Sequence, residues 1–192
     1  MLKRTAMALG LATTVSVMAM MQPGMAGKAD DTLRMAFASE ILSLDYLYTT
    51  KREYIILSEL TDATLFKSDP ETNEYKPSVA SGYTWVDDTT MDVTLREDVV
   101  FHDGTPLTAD DVAYTYNWIV SEQSESKAKG AIERWLDSAE KTGPYTVRFK
   151  LKTVYPLVLR DMGSRVKLRK NGAYEVNGAL DQDSMASALI GA

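Results

Sequence analysis

Histidine occurs once in this chain, cysteine not at all, and aspartates stand side by side at 87–88 and 110–111. Those are the residues that could do chemistry. A metal at His102 would need partners such as Asp103 with Asp45 or Glu40. One imidazole, with no thiolate and no H-x-x-E-type spacing, instead suits a turn histidine beside the Asp103-Gly104 bend. A glycosidase-type acid/base pair needs two carboxylates ~5–10 Å apart across a cleft. Adjacent residues on a helix do not face each other, so Asp110-Asp111 reads as the start of a helix and Asp87-Asp88 as a turn. No G-x-S-x-G, G-x-G-x-x-G or Walker A pattern supplies a nucleophile or a phosphate loop. The expectation is a protein without catalytic residues, cofactor or metal. Trp85, Trp118, Trp135 and the ten tyrosines are expected mainly in core and interface.

The elements that would position such residues are clearest over Trp85–Asn117. Val86-Asp87-Asp88-Thr89-Thr90 is a polar turn whose side chains bond to their own backbone. Met91, Val93 and Leu95 alternate with Asp92, Thr94 and Arg96, the period of a half-buried strand. Asp103-Gly104 is a strong turn dipeptide. Thr108, followed by Asp110 and Asp111, places a hydroxyl N-cap and two acids where unpaired N–H groups and the macrodipole favour them. Val112, Tyr116 and Ile119 form that helix's buried stripe.

This run resembles the signature region of family 5 of the periplasmic solute-binding proteins, which serve ABC importers for peptides and nickel. The motifs are W-V-D-D-T-T at 85–90, T-L-R at 94–96, V-F-H-D-G-T-P-L-T-A-D-D-V at 100–112, and Tyr114-Thr115. Phe66–Pro77 is similar to the family's D-P-E-T-G-E-Y-x-P element, with Asn73 where glycine is usual. Asn is the next best residue at φ > 0. Leu60-Thr61-Asp62 lacks the family's tyrosine. The resemblance covers about Thr32 to Gly191 and implies an α/β (mixed α+β) fold, periplasmic-binding-protein type II-like. It implies lobe I only in part: an opening at 30–47, an inserted subdomain at 48–163 and a return into lobe I at 164–192.

Members of the family are usually about three times this length, and a clamp derives its affinity from two lobes closing on one ligand. The chain is therefore expected to be the N-terminal part of a peptide-type binding component, one that binds peptide weakly or not at all by itself. A stand-alone interaction or scaffold subdomain is the alternative; an exported hydrolase fits less well. The implied partners are a peptide or small solute and the ABC permease subunits, with the protein a monomer. Peptide, nickel-complex, opine and sugar relatives share this region, so it does not choose among them. Ligands in α/β sheets bind at the carboxyl ends of strands. Ser39, Glu40, Leu44, Asp45 and Tyr46, just past a first strand at Thr32–Ala38, are thus expected to open onto the cleft.

The first residues have the build of a secretory signal peptide. Lys3 and Arg4 precede an uncharged apolar stretch to Met21, and small residues at 23–29 offer cleavage after Ala26 or Ala29. The core is at the short edge for a membrane anchor. The whole chain carries a formal charge of −6, which argues against nucleic acid and anionic membrane as partners. Without cysteine there is no disulfide framework and no lipid-modified cysteine, so a soluble protein of a Gram-negative periplasm is expected.

Elsewhere the pattern predicts a helix over Tyr54–Leu65 with Ile56, Leu60 and Ala63 on one side. It predicts an exposed loop over Ser121–Lys129, a short helix around Ile132, Trp135 and Leu136, and a turn at Lys141–Pro144. Tyr145–Leu151 reads as a strand. Pro156–Asp161 reads as a helix ended by Gly163. After Ser164 only the turns Asn171-Gly172 and Asn177-Gly178 stand out.

Overall fold

The alternating runs become the middle of a four-stranded antiparallel sheet. The computed structural model describes residues 35–38, 45–176 and 179–180. By its contacts the chain divides into Met1–Phe37 and Ala38–Ala192, and every element below belongs to the second unit. In chain order these are a 3-10 turn at Tyr46–Tyr48, α1 (Arg52–Thr61), β1 (Phe66–Ser68), β2 (Tyr75–Pro77), β3 (Ala80–Asp87) and β4 (Thr90–Leu95). They continue with α2 (Ala109–Val120), α3 (Lys129–Ile132), β5 (Leu136–Gly143), β6 (Thr146–Leu151), α4 (Val158–Ser164), β7 (Glu175–Val176) and β8 (Ala179–Leu180).

The sheet runs β3-β4-β6-β5. Its register sets Met91 against Phe149 and Val93 against Val147, and all four side chains are fully buried beneath α2. There Val112, Tyr116 and Ile119 close the core, with Tyr116 edge-on to Phe149 at 4.9 Å between ring centroids. Each such side chain contributes about 1.5–3 kcal/mol by leaving water. The opposite face is polar and paired. Arg148 forks onto Asp92 with both bonds at 2.7 Å, and Lys150 meets Glu140 at 2.7 Å.

α2 begins where Thr108 and Asp111 predict. The Thr108 amide and hydroxyl both donate to Asp111 Oδ2, at 2.7 and 2.9 Å. The Asp103-Gly104 turn has Gly104 at φ 80, and the β1–β2 hairpin has Asn73 at φ 58. The turn before β4 is shorter than expected, because β3 continues to Asp87.

Several expectations are corrected. Thr32–Arg34 lie outside the described residues, and Met35–Ala38 do not form a strand; a strand requires a ladder partner, and none pairs with them among the described residues. α1 ends at Thr61, not Leu65, and buries Tyr54 and Ser58 while Ile56 and Leu60 stay exposed. The residues that follow are drawn into other contacts: Asp62 into a buried ion pair, Leu65 into the core. Ser121–Lys129 is not an exposed loop, since Ser124, Ser126 and Ala128 are buried. Its backbone clasps the 3-10 turn through Lys127 N to Leu47 O at 2.7 Å.

The expected helix through Leu136 is only α3. Leu136 instead opens β5, an edge strand whose Leu136 and Ala139 alone are fully inward, which is too weak an alternation to read. Trp135 and Trp118 are core residues, whereas Trp85 is 42% exposed on the other edge strand. Gly163 lies inside α4 rather than ending it. A Cβ there would sit 2.7 Å from the Tyr75 ring and 2.9 Å from Phe66 O, so this glycine permits close approach of α4 to the β1–β2 hairpin.

Candidate functional site

Of the residues expected at the cleft, Ser39, Glu40 and Leu44 lie outside the described residues. Asp45 and Tyr46 are described, and they face different ways. Asp45 caps the 3-10 turn by accepting from Leu47 N at 3.0 Å, and it is only 1% exposed. Its carboxylate accepts from Arg169 Nη2 at 3.1 Å and from the Tyr174 hydroxyl at 2.8 Å. Asp45 thus turns inward.

Arg169 is the hub of this cluster. Its Nη2 also reaches Asp62 at 3.0 Å, its Nη1 donates to Leu168 O at 3.0 Å, and its amide donates to Thr115 Oγ1 at 3.0 Å. One buried arginine, through its guanidinium and its amide, therefore ties together the segment entering this unit, the end of α1, the body of α2 and the segment after α4. Burial alone would lower its pKa, but the Asp62 and Asp45 carboxylates outweigh that and raise it. Burial, and then the Asp45 charge, push the Tyr174 hydroxyl well above its ordinary value, so it remains a neutral donor.

An aromatic stack covers the hub. The Tyr174 ring lies 5.0 Å from Trp118 and nearly parallel to it, with Tyr48 edge-on at 5.5 Å. Trp118 Nε1 donates to Tyr48 Oη at 2.7 Å, and Tyr174 N donates to the Tyr114 hydroxyl oxygen at 3.0 Å. Burial pushes the Tyr114 hydroxyl up to about 12.

Sequence reasoning missed Arg169 and Tyr174. The available signal was Val166-Lys167-Leu168-Arg169, which alternates apolar with basic residues. It was obscured because both sets are buried, with Lys167 neutralised by Glu59.

Tyr46 faces a pocket of about 110 Å³, shared with Thr49, Thr50, Ile55, Lys127 and Arg165. Its hydroxyl donates to Ser164 O at 3.2 Å, and Lys167 Nζ lies 5.5 Å from the centre of its ring. A wider groove of 440 Å³ runs beside Trp85, Tyr155 and Asp88.

The other chemistry-bearing residues are engaged in structure. Asp87 holds its own turn through Thr89, Asp110 pairs with Lys141 at 2.6 Å, and Asp111 caps α2 and accepts from Asn171 N at 2.8 Å. His102 is exposed in its turn. Among the described residues no group of three or more His, Cys, Asp or Glu converges as a metal site.

Residues 74–183 match the family described as bacterial extracellular solute-binding proteins, family 5 Middle. The chain is 36% identical over 107 residues to the oligopeptide-binding protein AppA of Bacillus subtilis (strain 168), across 55% of this chain and 19% of AppA. It is 30% identical over 143 residues to the uncharacterized protein YhjP of the same organism, across 67% of this chain and 25% of YhjP.

Among solved structures it resembles Bacillus subtilis AppA in complex with a nonapeptide, at 32% identity and TM-score 0.61, covering 69% of this chain and 26% of that one. NikZ from Campylobacter jejuni in complex with Ni(L-His) gives 25% identity and TM-score 0.62, covering 76% and 29%. NikA from Brucella suis shares the fold at 20% identity and TM-score 0.65, covering 80% and 31%. The fold is thus mixed α/β of the type II periplasmic-binding-protein kind. The chain spans about a fifth to a quarter of the length of these curated relatives.

Proposed function

Because the chain belongs to the bacterial extracellular solute-binding proteins, family 5, we propose that it is part of the substrate-binding component of an ABC importer, with peptides as its solute. It works in the periplasm of a Gram-negative cell, delivered by a leader at 1–29 and acting as a monomer that hands solute to permease subunits. Residues 48–163 serve as the inserted subdomain of lobe I, between its opening at 30–47 and its return at 164–192. The observation that carries the peptide reading is the 36% identity to an oligopeptide-binding protein.

The role of this stretch is scaffold. Its carboxylates and its buried arginine are used in holding the fold, and the family binds solutes without transforming them. The matched stretch spans 19% of the oligopeptide-binding relative's length, so the chain by itself is expected to hold no peptide at micromolar affinity.

A chimera tests this. In Bacillus subtilis AppA the stretch that matches residues 45–176 is replaced by residues 45–176 of this chain, and nonapeptide binding is measured by calorimetry. Retained affinity within about tenfold, or 1.4 kcal/mol, supports the scaffold role. A folded chimera that no longer binds overturns it, as does micromolar peptide binding by the 192-residue chain alone.

A further inference from the structure

Trp85 stands where a tryptophan should be covered. Residues directly opposite each other on paired strands share a face, and Trp85 lies opposite Met91, which is fully buried. Yet Trp85 is 42% exposed, and so in like measure is Tyr83, opposite buried Val93. Val154 and Leu157 are exposed on the segment that leads into α4. Large apolar side chains left open in this way mark interaction sites.

The groove here measures 440 Å³. Trp85, Val154, Tyr155 and Pro156 wall it, and Asp87 and Asp88 are its charged members. Tyr155 is fixed in place. Its ring stacks on Trp135 at 6.2 Å and 11°, and its hydroxyl donates to Asp161 Oδ2 at 3.1 Å. A wall set in advance loses little freedom when an occupant arrives.

The charge of the groove is uncompensated. Among the described residues no basic side chain lines it. The Thr89 amide holds the Asp87 carboxyl below its ordinary value, so it is ionised. Asp88 is exposed and has no ion pair or hydrogen bond to its carboxylate among the described residues. Arg148 lies within electrostatic reach of Asp87, but its fork is committed to Asp92. Aromatic faces beside free carboxylates suit a guanidinium, which stacks on the rings and pairs with the acids.

The strand indicates what carries that guanidinium. β3 has β4 on one side and no strand on the other among the described residues. Between its two bulges, residues 82–85 keep a regular register. Their outer row of backbone groups can take an extended segment as a further strand. A residue of that segment set against Trp85 would have its Cβ about 4.5–5.5 Å from that of Trp85. Its side chain would then lie along the indole. A water takes roughly 30 Å³, so 440 Å³ is far more than an inorganic cation needs.

We propose that this groove and the β3 edge dock an extended segment of a partner protein, with an arginine side chain of that segment seated between Trp85 and Tyr155 against Asp88. The site is a face of the scaffold and does not depend on which solute the protein carries.

The test is NMR of the tryptophan indole N–H signals of the 192-residue chain, with that of Trp85 assigned from Trp85→Phe. The probe is acetyl-Thr-Val-Arg-Val-Thr-amide, which has neither a free amine nor a free carboxylate. It is expected to shift the Trp85 signal with a dissociation constant of about 0.1–1 mM. Citrulline in place of arginine keeps the shape and removes the charge, and should weaken binding at least about tenfold. N-methylation of the probe's backbone, and agmatine alone, should each bind at least about tenfold more weakly, since neither can add a strand. Asp88→Asn should weaken the arginine probe about three- to tenfold. Asp88 is exposed, so that variant keeps the fold, and the probe comparisons use the unaltered chain.

Equal binding of the arginine and citrulline probes overturns the proposal, as does an unchanged Asp88→Asn titration. Agmatine binding as tightly as the peptide overturns it in favour of a small organic cation. An N-methylated probe that binds equally well removes the strand from it. A dimer in sedimentation that Trp85→Ala abolishes would mean that a second copy covers the groove, and also overturns it. The nonapeptide chimera reports on solute binding and is indifferent to every one of these results.

Discussion

Arg169 shows how one residue can fasten several segments. Breaking a buried ion pair by removing one partner costs about 3–5 kcal/mol, because the other charge is left stranded. Arg169→Leu strands two carboxylates, Asp45 and Asp62, each within 3.1 Å of the guanidinium. Urea melts should show a loss at the upper end of that range, a large share of the 5–15 kcal/mol typical of a domain. Tyr174→Phe keeps the ring stack and removes only the hydroxyl that donates to Asp45, so about 1–3 kcal/mol is expected. Lys150→Ala is the control. Lys150 and Glu140 are 45% and 49% exposed, and such pairs are worth about 0–1 kcal/mol. A Lys150 variant as damaging as the Arg169 variant would contradict the ranking. The sequence marked Asp45 and Tyr46 as neighbours of interest, but it could not tell that one turns inward and the other outward. That difference is set by a partner 124 residues away.

Elements were legible where a local rule dictated them. The alternation at Met91–Leu95, the Asp103-Gly104 turn and the Thr108–Asp111 start of α2 each rest on residues within a few positions, and each appears as expected. The errors fell where a distant contact overrides local preference. α1 stops early because Asp62 answers Arg169, and β5 forms on weak alternation because β6 offers it a ladder.

Two substitutions separate these cases. Asp111→Ala removes bonds from the Thr108 amide, the Thr108 hydroxyl and Asn171 N together. It should cost about 2–4 kcal/mol, more than the ~1 kcal/mol of an ordinary cap, since the lost carboxylate also held the segment after α4. Gly163→Ala meets backbone at Phe66 O as well as the Tyr75 ring. Despite the helix propensity gained, it should destabilise by about 1–3 kcal/mol in a thermal melt. A stabilising Gly163→Ala would mean that α4 can move off the hairpin freely.

At the scale of the whole chain, charge sets the pH range in which the fold survives. Six carboxylates at the surface are held below their ordinary values. Lys76 and then the Glu71 and Thr72 amides hold Asp69 at about 2. Arg148 lowers Asp92, Arg96 lowers Asp98, Lys170 and Thr105 lower Asp103, Lys150 lowers Glu140, and the Thr89 amide lowers Asp87. A carboxylate whose pKa is lower folded than unfolded contributes stability that is present above the unfolded value and lost as pH falls through the folded one. The unfolded values are 3.8 for Asp and 4.5 for Glu, so stability should begin to fall below about pH 4.5 and keep falling to about pH 2.

The tyrosines close the other side. Burial raises Tyr116 and Tyr174 well above 10.0 and Tyr114 to about 12. Their contribution is complete below pH 10 and lost as pH rises beyond it. Between these limits the net negative charge shrinks toward the isoelectric point near 4.9, relieving self-repulsion rather than adding to it. Thermal melts from pH 2 to 11 should therefore give a plateau from about pH 5 to 9 with a fall on each side. Because the acid-side pairs are exposed, 1 M NaCl should flatten the acid limb at Asp103, Asp92 and Glu140, while Asp87, held by backbone N–H, keeps its share. A melting temperature that climbs as pH drops from 4 to 2 would show that these carboxylates do not support the fold.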